Sequence, residues 1–192
     1  YELLPFWHTF FTELGFEVIT SPIYDKTIFQ KGQNTIPSDT VCYPAKMMHG
    51  HIKWLLAQGV TSIFYPCMTY NVDEDTAQNC YNCPVVAYYP EVLAANIEEL
   101  KNIHFFYDYL GLLNKKLLAK ELYKTLNPVY TDLSSAEIKN ALTPAFKAYR
   151  DFEARIKEQG QKITEEALNK NMPVIILAGR PYHTDPKTNH GI

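Results

Sequence analysis

The sequence predicts an α/β fold: a Rossmann-like parallel sheet flanked by helices, with a helical segment leading into the start of a second α/β lobe. Two observations carry this prediction. Short apolar runs alternate with segments whose apolar residues recur at helical spacing, and Gly or Pro punctuates most junctions. A charged, helix-periodic stretch then gives way to a second apolar run at 173–178. The expected division is an α/β cysteine-bearing lobe over 1–102, a helical segment over 103–170, and the first strand and loop of a truncated second lobe over 171–192.

The elements follow in order. Leu3, Phe6, Trp7, Phe10, Phe11 and Leu14 lie at helical spacing, and Gly15 supplies a stop. Residues 16–20 read as a strand ended by Ser21 and Pro22, and a short helix follows over 26–31. Pro37, Ser38, Asp39 and Thr40 offer capping chemistry. Pro44 is tolerated only in a first helical turn, so the next helix starts at 40–43 and runs along Ala45, Met48, Ile52, Leu55 and Leu56 to a stop at Gly59. Residues 60–65 read as a strand ended by Pro66 and Cys67. Residues 68–82 are polar, acidic and aperiodic, a loop of a length usually reserved for function. Residues 84–89 read as a strand, and Pro90 with Glu91 opens a helix to Leu100. The stretch 103–170 reads as helical, with a helix over 110–123, a capping box from Ser134 to Glu137 and a restart at Thr143 and Pro144. Phe146, Tyr149, Phe152 and Ile156 line the face of that last helix, and 157–170 form its charged, exposed end. Residues 173–178 read as a buried parallel strand, with 179–183 as its loop.

Bulk properties narrow the class. The chain has 192 residues, is 46% hydrophobic and 20% charged, and has a net charge of −3, the composition of an ordinary globular domain. No basic excess points to nucleic acid. No apolar run approaches the roughly 20 residues that span a bilayer, and no signal peptide is evident. The chain begins without Met inside a helical pattern and stops after an apparent strand and loop, so it reads as a piece of a longer protein, with a cytoplasmic location expected.

Four cysteines, Cys42, Cys67, Cys80 and Cys83, stand in the pattern C-x24-C-x12-C-x2-C. Each falls just before a helix or strand or just after a strand, rather than inside an apolar repeat. Four cysteines allow three disulfide pairings, but a chain rich in apolar residues has no need of such staples. Clustered thiols in a reducing compartment point instead to a thiolate-ligated metal or iron–sulfur site. Structural zinc usually shows two C-x2-4-C knuckles. One knuckle and irregular spacing suit an iron–sulfur cluster better, with zinc as the alternative. The plainer reading, cysteine packed as a small hydrophobe, stays open for any one of them.

Cys67 follows a strand, and Cys42 opens a helix whose start faces the same edge, where α/β folds bind ligands. Helix N-termini also lower a thiol pKa. Cys80 and Cys83 are harder to place: ahead of a strand they would begin at the opposite edge. His49 and His51 are two apart on a helix and read as structural. Lys46, one turn after Cys42, reads as a counter-charge for thiolates or phosphate, or as a solvated lysine. Arg180 and His183 follow the last apolar run where a cofactor or anion would bind, and Arg180 suits a phosphate or carboxylate. Asp73, Glu74 and Asp75 read as a solvated loop. No nucleotide-binding, nucleophile-elbow or H-E-x-x-H motif is present.

Four stretches in combination carry a resemblance: Ile36 to Lys46 (IPSDTVCYPAK), Phe64 to Cys67 (FYPC), Tyr81 to Val86 (YNCPVV) and Leu177 to His183 (LAGRPYH). Together they resemble the uncharacterised domain of large proteins of the 2-hydroxyacyl-CoA dehydratase activator type, the CoA-substrate-specific enzyme activases. The resemblance implies ATPase domains of the parent protein as partners and an acyl-CoA dehydratase or reductase as a client. It is also distantly similar to dehydratase and benzoyl-CoA reductase subunits, which hold a 4Fe-4S cluster on three cysteines. By that similarity the metal ligands are Cys42, Cys67 and Cys83, and Cys80 falls outside the family pattern. The implied role is an iron–sulfur redox domain passing low-potential electrons; the alternative is a non-catalytic binding or docking module with structural cysteines or zinc.

Overall fold

One parallel ribbon forms the centre of the fold. In the computed structural model, which describes residues 2–23, 26–73, 78–180, 183, 185 and 189, β1 (Ser62–Phe64) pairs with β3 (His104–Phe106) and β2 (Cys67–Tyr70) with β4 (Tyr109–Gly111), both in parallel. The register offset is the same from Ser62↔His104 to Met68↔Leu110, so the two pairs are one ladder. Across the junction the Tyr65 amide donates to the Phe106 carbonyl at 2.9 Å and the Cys67 amide to that of Asp108 at 3.0 Å. Pro66 has no N–H to donate, and the strand assignment breaks there.

Helices cover both faces of the ribbon. These are α1 (Leu4–Glu13), α2 (Lys26–Gly32), α3 (Tyr43–Ala57), α4 (Pro84–Asn96), α5 (Lys115–Leu126) and α6 (Ser135–Asn169). Alternation along the strands divides the core. Ile63, Tyr65 and Phe105 pack with Ala45 and Ile52 of α3 and Tyr89 and Leu93 of α4. Phe64, Phe106, Met68 and Leu110 pack on the other side with Phe6 and Phe10 of α1, Leu118 and Leu122 of α5, and Ile138 and Leu142 of α6. The α/β class therefore holds, with parallel strands between two helical layers.

Local signals account for most helices. Gly15 (φ +84°) and Gly59 (φ +75°) end α1 and α3 in a conformation that L side chains resist. At the start of α6 the Ser134 hydroxyl accepts from the Glu137 amide at 3.2 Å, and the Glu137 carboxylate accepts from the Ser134 amide at 2.8 Å, completing the capping box. The Ser134 hydroxyl also donates to the Glu137 carboxylate at 2.6 Å, and this bond with that of the Ser134 amide holds the carboxyl below its usual range. The far half of α6 is solvent-facing, as its charge pattern indicates.

Several element readings need correction. Residues 84–89 are the first turns of α4, not a strand. Burial alternates at Ala87 and Tyr89 with Val86 and Tyr88 exposed, which imitates a strand over five residues. The pattern then continues through Pro90, Leu93 and Ile97 at helical spacing. Pro90 and Pro144 both lie inside helices rather than at their starts. The strands β3 and β4 fall in a stretch read as helical, and 16–20 form no strand. The expected loop 68–82 contains most of β2 and a Tyr70–Tyr81 antiparallel bridge. Residues 173–178 pair with no strand among the described residues, and Ile175 and Ile176 are almost fully exposed.

Candidate functional site

Two of the cysteines occupy equivalent positions. Cys42 is the N-cap of α3, with a proline in the first turn, and its carbonyl accepts from the Ala45 and Lys46 amides at 3.1 and 3.2 Å. Cys83 is the N-cap of α4, again with proline in the first turn, and its Sγ accepts from the Val86 amide at 3.5 Å. The Cys83 side chain caps its helix directly, whereas Cys42 makes no side-chain cap bond. Both thiols are exposed.

The placement of Cys83 comes from the return of the chain after β2. The Asn71 amide donates to the Cys80 carbonyl and the Asn82 amide to that of Thr69, each at 2.9 Å. The Asn82 side chain donates to the Met68 carbonyl at 2.9 Å. The segment 80–82 therefore runs back antiparallel to β2, toward the start of that strand. The opposite-edge difficulty disappears because 84–89 are helical: Cys42 and Cys83 each open a helix, and Cys67 lies within the central ladder.

Cys67 differs from the other two in being fully buried. Burial pushes its thiol up to about 11, aided by the charges of Glu91 and Asp108 and opposed by a hydrogen bond from the Glu91 backbone. Tyr65 links the thiols. Burial raises its phenol first, and Tyr89, Cys67 and Cys42 all add to the shift, so both cysteines lie within electrostatic reach of one hydroxyl. Tyr89 feels Cys42 as well. Between the two capped helix starts lies an apolar groove of about 400 Å3, walled by Pro37 and Val41 on one side and Pro84, Val85, Tyr88 and Tyr89 on the other.

Behind the groove runs a buried polar chain that sequence reading missed. The Thr35 hydroxyl donates to the Gly32 carbonyl at 2.8 Å, which leaves it to accept from His49 Nδ1 at 2.8 Å. His49 Nε2 then accepts from the Tyr89 hydroxyl at 3.0 Å. Burial lowers His49 from 6.5 to about 4, so the imidazole is neutral near pH 7. The close approach of α2 to α3 permits this: a Cβ on Gly50 would meet the Ile28 carbonyl oxygen at 2.1 Å. The structural reading of both histidines holds, since His51 is also buried, its pKa lowered by that burial and raised in part by Asp185.

Other expected site residues fall elsewhere. Lys46 donates to the Asp39 carbonyl at 3.1 Å, in the loop ahead of Cys42. The Arg180 amide donates to His183 Nδ1 and the His183 amide to the Arg180 carbonyl, each at 2.9 Å, so these two residues close a turn on each other. The charge of Asp185, two residues on, acts on His51. That point on α3 is nine residues past Cys42, about 13 Å along the axis. Pro181 and Tyr182 of that loop lie outside the described residues, as do Glu74 and Asp75.

Three thiols, two of them at helix N-caps, are the donor chemistry that an iron–sulfur group uses. Among the described residues, however, no three Cys, His, Asp or Glu side chains are gathered closely enough to hold a metal. No helix among them is long and apolar enough to cross a membrane.

No curated protein and no solved structure matches the chain, so the distant likeness to dehydratase subunits stays an expectation. The family model described as the CoA enzyme activase uncharacterised domain matches residues 1–192, and the protein belongs to that family.

Proposed function

We propose that this domain is the iron–sulfur redox part of a CoA enzyme activase system, holding a 4Fe-4S cluster on Cys42, Cys67 and Cys83. The observation that supports this most is that Cys42 and Cys83 open α3 and α4 at matching N-caps while Cys42 and Cys67 both lie within electrostatic reach of Tyr65. When bound, the cluster supplies one-electron transfer at low potential. The residues of the chain provide the setting. Cys42 and Cys83 open α3 and α4, Cys67 is fully buried, and the Tyr65 hydroxyl lies within electrostatic reach of both Cys42 and Cys67. Three protein thiolates leave one iron position without a protein ligand. The partners in this reading are ATPase domains of the parent protein and an acyl-CoA dehydratase or reductase, in the reducing cytoplasm.

A second reading, a docking module with structural cysteines or zinc, draws on the protonated, fully buried state of Cys67. One experiment separates the two. The chain is reconstituted anaerobically with iron and sulfide, and its visible and electron paramagnetic resonance spectra are recorded before and after dithionite. The redox reading expects a brown protein that bleaches reversibly by one electron. Colour should be lost in Cys42→Ser and Cys83→Ser and kept in Cys80→Ser. A colourless protein, with or without one bound zinc, supports the docking module and ends the redox reading.

A further inference from the structure

Four tyrosines form a continuous exposed belt across the face that carries β2, α4 and β4. Tyr70, Tyr81, Tyr88 and Tyr109 are 43%, 43%, 37% and 47% exposed. Their rings are joined in series. Tyr70 meets Tyr81 edge to face at 5.1 Å between centroids, and the Tyr81 and Tyr88 hydroxyls hydrogen-bond. Tyr88 lies 5.9 Å from Tyr109, and the Tyr109 hydroxyl donates to Glu91. The Tyr70–Tyr81 backbone bridge fixes the two ends of the hairpin from which the belt starts. Four large rings held this way lose little freedom when covered, and that lowers the cost of binding.

Two exposed carboxylates flank the belt: Glu91, which accepts from the Tyr109 hydroxyl, and Asp108, the residue before Tyr109. The belt is therefore aromatic and acidic together. Such a surface repels phosphate backbones and attracts cations. Tyrosine faces favour the planar guanidinium of arginine, which stacks as well as pairs.

We propose that this belt is a docking surface for a protein partner that presents arginine side chains, which stack on Tyr81, Tyr88 and Tyr109 and pair with Glu91. The surface adjoins the cysteine site through Tyr88 and does not require a cluster. Tyrosine and arginine are the residues in which interface energy concentrates, and here the tyrosine half is already assembled.

The test uses the 15N-labelled chain titrated with hexa-arginine, hexa-lysine and hexa-glutamate peptides. Hexa-arginine should shift the amides of Tyr70, Tyr81, Tyr88, Glu91 and Tyr109 and bind several-fold tighter than hexa-lysine, while hexa-glutamate should not bind. A Tyr81→Ala/Tyr88→Ala double variant should lose at least tenfold in affinity for hexa-arginine with an unchanged circular dichroism spectrum, because both side chains are exposed. Glu91→Gln should weaken both cationic peptides. The proposal is overturned if the shifts fall on other acidic positions such as Glu158 and Glu165, or if the double variant binds as well as the parent. It is overturned in favour of a second copy if the belt amides shift with protein concentration alone as the sedimented mass rises.

Discussion

Lowering the pH should destabilise this fold through His49, and the size of the effect can be worked out. The imidazole is fully buried between Thr35 and Tyr89, and its pKa falls from 6.5 to about 4 because burial penalises the charged form. In the unfolded chain the ring takes up a proton as the pH drops through 6.5, whereas the folded chain resists until about 4. Between those values the unfolded state binds more protons, so stability falls as pH falls. Full stability is present above pH 6.5; the loss is about 2 kcal/mol at pH 5 and about 3 kcal/mol at pH 4. His51 shifts in the same direction, so the test is a difference between two proteins. His49→Gln retains a polar bridge and removes the titration. Urea unfolding followed by Trp7 and Trp54 fluorescence should show the parent midpoint dropping between pH 7 and pH 5 by about 1 M more than the midpoint of the variant. Equal drops in the two proteins would refute the assignment of His49 as a buried neutral base.

Three other substitutions probe the same frame. Tyr89→Phe removes the donor to His49 Nε2 and leaves a buried acceptor unpaired, at a cost of about 1–3 kcal/mol by chemical denaturation. Gly50→Ala forces a methyl group against the Ile28 carbonyl, so α2 must move; about 1–3 kcal/mol should be lost and the His49 side-chain resonances should shift. Phe10→Ala empties the centre of the α1–α6 layer and should cost about 3–5 kcal/mol, whereas the solvent-facing Ile163→Ala should change stability little.

What could be read from the sequence was decided by local chemistry. The glycines after α1 and α3, the capping box at Ser134 and the proline in the first turn of α3 act within a few residues, and each is where the pattern put it. Cys42 as a helix opener follows from the same logic. The α4 start escaped because Val85, Val86, Tyr88 and Tyr89 favour strands and alternate in burial, while Cys83 and Pro84 form a cap that β-branched neighbours disguise. The aromatic run His104 to Tyr109 carried a strand signal of its own, hidden by the helical stretch around it. The meeting of the 80–82 segment with β2 depends on the hydrogen bonds of Asn82 to Thr69 and Met68. Contacts between residues on either side of a loop leave no periodic trace, so neither that meeting nor the tyrosine belt was visible beforehand.

The most direct test of the central claim is iron and acid-labile sulfide content after anaerobic reconstitution, measured on the parent chain and on the four single Cys→Ser variants. The account predicts about four irons and four sulfides per chain, kept in Cys80→Ser and lost in Cys42→Ser, Cys67→Ser and Cys83→Ser. Iron absent from the parent, or retained unchanged in all four variants, would contradict it.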